Sequence, residues 1–168
     1  MRVVALGVGD TALGDEGVGV LAAGMLNGKV PPDVEVLIPG TVDNRWVVEL
    51  EGTSHLLVLD CVDVGRAPGT MVVFDSRELR PCSMSVAVHE FGVADLLVLL
   101  GQRFDAPEQI VILGMQQGSV EPGTGLSEPV AATLPEFVAQ ATRVLRAWMG
   151  VGPSDPPSEG QEAHPIDC

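Results

Sequence analysis

The stretch Val3-Val4-Ala5-Leu6 running through Gly7-Val8-Gly9-Asp10, and on to Gly14-Asp15-Glu16-Gly17-Val18-Gly19, decides the fold. A short apolar run that meets glycines and then an acidic pair predicts a buried strand ending in a tight loop, with carboxylates carried into a helix start. A phosphate-binding loop would present glycine amides to its ligand. This loop offers negative charge, so it suits a cation or a cationic group. The third glycine of a dinucleotide fingerprint is replaced by Ala12, and no G-x-x-x-x-G-K-[ST] loop exists.

Working outward, a helix is predicted from Glu16 to about Lys29, with Val18, Leu21, Ala22 and Met25 on its buried face. Val34 to Ile38 reads as a second strand, and about Asp43 to Glu51 as a helical stretch that turns Val47 and Leu50 to the sheet. His55 to Asp60 is a third strand, apolar until its last residue. The connection from Cys61 to Gly69 is shorter than the dozen or so residues of a parallel crossover. The fourth strand, Thr70 to Phe74, is therefore predicted to run antiparallel to the third. A helix over about Glu90 to Leu100, a fifth strand over Gln109 to Leu113 and a final helix over about Glu128 to Met149 complete the domain. This order predicts an α/β fold, a three-layer α/β/α sandwich on a five-stranded, mostly parallel sheet with one antiparallel strand. One domain over 1–149 is expected. The segment 150–168, with four prolines, four acids and no basic residue, is expected to be a disordered tail.

Lys and Arg number 9 against 23 Asp and Glu, a net charge of -14 that disfavours nucleic acid and anionic membrane as partners. No apolar run reaches the length of a membrane span and no leader pattern opens the chain, so a cytoplasmic protein is expected. Cys61, Cys82 and Cys168 have neither disulfide-framework nor zinc-site spacing.

Ligands of open α/β sheets bind beyond the carboxyl ends of the parallel strands. Asp10, Asp15 and Glu16 follow the first strand, Asp60 and Asp63 the third, and His89 stands at the start of the helix before the fifth. Singly, each candidate has a plainer role: Glu16 as a first-turn charge on the helix dipole, Asp60 as a carboxylate with a specific partner, His89 as a packing or capping imidazole. Together, Glu16, Asp60 and His89 suit a divalent first-row metal that keeps open positions for water or substrate. The H-E-x-x-H zinc-protease motif fails because Val93 stands in place of its second histidine, and no G-x-S-x-G elbow occurs. A thiol nucleophile pairing Cys61 or Cys82 with His89 is a lesser alternative.

The ordered segments resemble those of the hydrogenase maturation endopeptidases. Gly7 to Asp10 with Gly14 to Gly19 is similar to that family's G-x-G-N and D-[DE]-G-x-G signature. Leu59-Asp60-Cys61-Val62-Asp63 with Pro68-Gly69-Thr70 resembles its D-A-x-D and P-G-T segment. His89-Glu90-Phe91-Gly92 resembles its H-Q-x-G helix start, and Gly114-Met115-Gln116 with Leu126-Ser127 its late region. The resemblance covers about 1–149. It implies an endopeptidase that removes the C-terminal extension of a nickel-iron hydrogenase large-subunit precursor once nickel is in place. It puts the nickel-recognising and catalytic residues at Glu16, Asp60 and His89, with nickel presented by the substrate. A non-catalytic, metal-dependent chaperone or binding module of hydrogenase assembly is the alternative function. The sequence departs from the family at Asp10, Pro39, Glu90 and Gln117. Because the family's D-G-G-T appears here as Ile38-Pro39-Gly40-Thr41, without its acidic residue, Asp43 is the candidate to replace it.

Overall fold

The computed structural model describes residues 1–75 and 92–152 of the chain. Among these residues five strands form one sheet: β1 (Val3–Val8), β2 (Val34–Gly40), β3 (His55–Val62), β4 (Met71–Asp75) and β5 (Gln109–Gln116). Their order is β2-β1-β3-β5-β4, with β4 antiparallel to β5 and every other pair parallel. The helices are α1 (Val18–Gly24), α2 (Trp46–Glu49), α3 (Val93–Gly101) and α4 (Glu128–Trp148).

Strand residues alternate between two cores, as the two-residue period of a β-strand requires. Val3, Ala5, Leu57, Leu59, Val111, Leu113 and Met115 turn to one face, where α1 and α4 bring Val18, Ala22, Val130, Phe137, Val138, Ala141 and Leu145. Val4, Leu6, Val8, Leu56, Val58, Ile110 and Ile112 turn to the other, against Leu50, Val93, Leu96 and Leu100. Burying each such side chain stabilises the fold by about 1.5–3 kcal/mol. The predicted three layers are therefore present, and among the described residues no helix is long and apolar enough to cross a membrane.

The reversed strand is present as expected, antiparallel in direction to β3, and it takes its place beyond β5, with which it pairs. A short connection dictates a reversal of direction, not which place in the sheet the strand takes, and β5 fills the slot between them. The first helix is shorter than predicted: a 3-10 turn over Gly14–Gly17 leads into α1, which ends at Gly24. Its buried face is also shifted. Val18, Gly19, Ala22, Ala23 and Leu26 are buried, whereas Leu21 and Met25 are 41% and 38% exposed. Close packing selects this phase, because a Cβ on Gly19 would collide with the carbonyl oxygens of Val8 and Leu59. Finally, β3 runs on to Val62, so Asp60 lies within the strand and not at its end.

Of the second helix only the single turn α2 forms, with Leu50 buried beyond it and Val47 half-buried, as expected of both. α3 begins where the Asp95 carboxylate accepts the Gly92 N–H at 3.1 Å, which satisfies one orphan donor of the first turn. In α4, Pro129 sits in the first turn, where its missing N–H costs nothing.

Candidate active site

β1 and β3 are neighbours, with Gly7 opposite Leu59, and from them the sheet continues to β2 on one side and β5 on the other. This is the reversal of strand order at whose carboxyl edge open α/β sheets take their ligands. Glu16, on the 3-10 turn after β1, and Asp60, near the end of β3, meet at this edge. Burial pushes the Asp60 carboxyl up to about 7. The Cys61 N–H, donating to Asp60 Oδ1 at 2.8 Å, pulls the other way, and the Glu16 charge adds to the rise. Glu16 is half-buried, and its side chain makes no hydrogen bond or ion pair with any described residue. Two carboxylates thus share a partly dehydrated edge without a cation from the described residues between them, an arrangement that a metal ion or a substrate cation would relieve.

The neighbouring acid behaves differently. Asp15 is fully buried. Its Oδ2 accepts the N–H groups of Gly118 and Ser119 at 2.7 and 2.8 Å and the Ser127 hydroxyl at 2.7 Å, while Oδ1 accepts the Ser127 N–H at 2.6 Å. Burial alone would raise its pKa, but the donated hydrogen bonds of Ser119, Ser127 and Gly118 outweigh it and hold the carboxyl below its ordinary value. Asp15 also donates its own N–H to the Ser119 carbonyl at 2.8 Å. The loop before α1 is therefore bound to the loop between β5 and α4. Gly14 permits the approach: its φ is +55°, and a Cβ there would lie 2.6 Å from the Ser119 oxygen.

The far side of the edge is fixed by Gln116, which is buried. Its Oε1 accepts the N–H groups of Val64 and Arg66 at 2.9 and 3.2 Å, and its Nε2 donates to Asp63 Oδ1 at 3.1 Å. Gln117 Nε2 donates to the other Asp63 oxygen at 3.3 Å. Asp63 is thus anchored within the loop that follows β3. Asp10 likewise folds back on its own turn, accepting the Ala12 N–H at 2.8 Å. Asp43, the candidate for the acidic position missing from Ile38-Pro39-Gly40-Thr41, is held by Arg45 in a 2.6 Å ion pair. Beside the carboxylate edge opens a shallow cavity of about 300 Å³ lined by Gly9, Asp10, Thr11, Val20, Gly40 and Thr41.

Cys61 makes a poor nucleophile. Burial, reinforced by the charges of Asp60, Asp15, Glu16 and Asp63, pushes its thiol up to about 12. That disfavours the thiol alternative at Cys61. His89, Glu90 and Cys82 lie outside the described residues, and so does residue 153 onward of the expected tail. Among the described residues no three His, Cys, Asp or Glu side chains form a group that could hold a metal ion.

The sequence placed Glu16 and Asp60 at one edge, and the structure brings them together. Residue type and spacing alone do not distinguish Asp15 from Glu16; the family resemblance selects Glu16. In the folded chain the two adjacent acids part, one turned inward to backbone amides and one left at the edge. The sequence also gave no role to Gln116 or Ser127, whose partners are about 50 and more than 100 residues away.

Residues 21–144 match the model of a family described as hydrogenase maturation protease. The chain is 31% identical over 150 residues to the hydrogenase 2 maturation protease of Escherichia coli strain K12, covering 87% of this chain and 92% of that one. It is 30% identical over 170 residues to the hydrogenase expression/formation protein HupD of Rhizobium leguminosarum bv. viciae, covering 98% and 83%. Among solved structures, the hydrogenase maturating endopeptidase HybD from E. coli superposes with a TM-score of 0.79 at 29% identity, covering 88% of this chain and 94% of that one.

Proposed function

The chain belongs to the hydrogenase maturation protease family, and from that premise we propose that it is the cytoplasmic endopeptidase that removes the C-terminal extension of a nickel-iron hydrogenase large-subunit precursor after nickel insertion. In this reading nickel belongs to the substrate and is recognised by Glu16, Asp60 and His89. One observation carries it: Glu16 and Asp60 share a partly buried edge, and Asp60 is raised to about 7. Such a pair is poorly suited to a neutral peptide and well suited to a polypeptide that brings its own divalent cation. Carboxylate and imidazole donors fit a first-row metal, and a third ligand is required because the described residues supply no complete set.

The chemistry proposed is amide hydrolysis without a side-chain nucleophile. A divalent ion carried by the substrate can polarise the scissile carbonyl or lower the pKa of a bound water toward about 7. Either carboxylate can take a proton from that water. The shallow cavity lined by Gly9, Asp10, Thr11, Val20, Gly40 and Thr41 adjoins the edge and offers room for substrate residues flanking the bond.

The test is cleavage of purified precursor in its nickel-loaded and nickel-free forms. Processing of the loaded form alone is expected, and equal processing of both removes nickel recognition from the scheme. Glu16→Gln and His89→Ala should each slow cleavage by about a hundredfold or more, to a residual rate that single-turnover assays still measure. If they abolish only association with the precursor while mature subunit still accumulates in cells lacking related proteases, the protein is a binding module.

A further inference from the structure

We propose that Asp15 is a positioning residue for cleavage, which holds Glu16 in register with Asp60 by tying the loop before α1 to the loop between β5 and α4. The inference rests on the proposed role of Glu16 at the scissile site. Asp15 immediately precedes Glu16, is fully buried, and takes four hydrogen bonds of 2.6–2.8 Å from Gly118, Ser119 and Ser127. Dehydrating a carboxylate this deep is unfavourable unless hydrogen bonds to its oxygens offset the loss of water. Here the donors come from residues 103 to 112 positions away, and none comes from the helix that Asp15 opens. The same far loop is joined to the Asp60 side of the edge. The Gln117 N–H donates to the Val62 carbonyl at 3.0 Å, and the Gln116 and Gln117 side chains hold Asp63. One polar network therefore reaches both acid-bearing segments, and Asp15 is its only side-chain link to the Glu16 segment among the described residues.

Asp15→Asn is nearly isosteric but mismatched. One terminus of an amide can accept the Ser127 N–H, or the other set of donors, but the NH₂ group must then face N–H groups where a carboxylate oxygen stood. If Asp15 acts through Glu16, its loss should appear in the chemical step and vanish when Glu16 is already disabled. With nickel-loaded precursor, Asp15→Asn is expected to lower kcat by about tenfold or more with KM within about twofold, measured where circular dichroism shows the variant fully folded. The double variant with Glu16→Gln should be no slower than Glu16→Gln alone. Should Asp15→Asn fail to fold, Ser127→Ala keeps all three backbone donors and is expected to lower kcat a few-fold, again without effect in the Glu16→Gln background.

Wild-type kcat in Asp15→Asn, or in Ser127→Ala where Asp15→Asn is unfolded, overturns the inference. So does a loss that multiplies with that of Glu16→Gln. A Glu16→Gln variant that cleaves at the wild-type rate overturns the proposed function and this inference together, whereas an impaired Glu16→Gln beside a wild-type Asp15→Asn overturns this inference alone.

Discussion

Two buried acids pull the pH dependence of folding in opposite directions. Asp60 has a folded pKa of about 7, against about 4 in an unfolded chain, so between these values the folded state binds the extra proton. Its contribution therefore favours folding increasingly as pH falls from about 7 toward 4. Asp15 has a folded pKa below its ordinary value, so its contribution is present above about 4 and is lost as pH falls through the lower, folded value. Urea midpoints of the free protein should rise as pH is lowered from about 7.5 to 5, and Asp60→Asn should remove that rise. A midpoint that falls over this interval equally in both proteins would contradict the assignment. Cys61 lends itself to a second test: with its thiol near 12, Cys61→Ser should keep kcat within about twofold, and Cys61 should label slowly with iodoacetamide at pH 8. At this scale the sequence was informative about residue type and blind to direction. Asp15 and Glu16 are adjacent and chemically alike, and only long-range backbone donors distinguish them.

For the elements, legibility followed how much of the packing is local. The apolar runs of β1, β3 and β5 announced themselves because both sheet faces are covered and alternate residues enter two cores. The phase of α1 differs from the expected one because Leu21 and Met25 are the large apolar residues at helical spacing, while the interface takes small residues such as Gly19, Ala22 and Ala23. Gly19 is where α1 comes closest to the strands. Gly19→Ala should destabilise the fold by about 1–3 kcal/mol through overpacking, seen as a lower urea midpoint at unchanged slope. It should also reduce cleavage, since α1 can move off the strands only by carrying the Glu16 turn with it. An equivalent methyl at Gly24, where nothing lies within 4 Å of a Cβ, should leave both measurements near wild type.

For the molecule as a whole, connection length was a sound guide to strand direction. Strand order was less accessible. The placement of β4 outside β5 depends on a strand that enters the sequence some 34 residues after β4 ends, and nothing local to the connection records it. The charge of -14 has a global consequence: self-repulsion in the folded state should make thermal stability climb as sodium chloride is raised from about 10 to 200 mM. Scanning calorimetry at neutral pH checks this, and a melting temperature that falls over that range would mean that attractive pairs such as Arg2 with Glu35 outweigh the repulsion.

The ladder between β3 and β5 does not stop at the functional edge. It continues through Asp60 opposite Gly114, Cys61 opposite Met115 and Val62 opposite Gln116. Asp60 is therefore carried on a central strand and not on a loop. The amides of Leu59 and Asp60 should accordingly exchange with deuterium at rates set by opening of the whole sheet, hours behind those of the exposed turn at Glu121 to Gly125. A site on such slow-exchanging backbone has little freedom to adapt to what arrives, so the movement needed to bring a peptide bond to the carboxylates falls to the incoming chain.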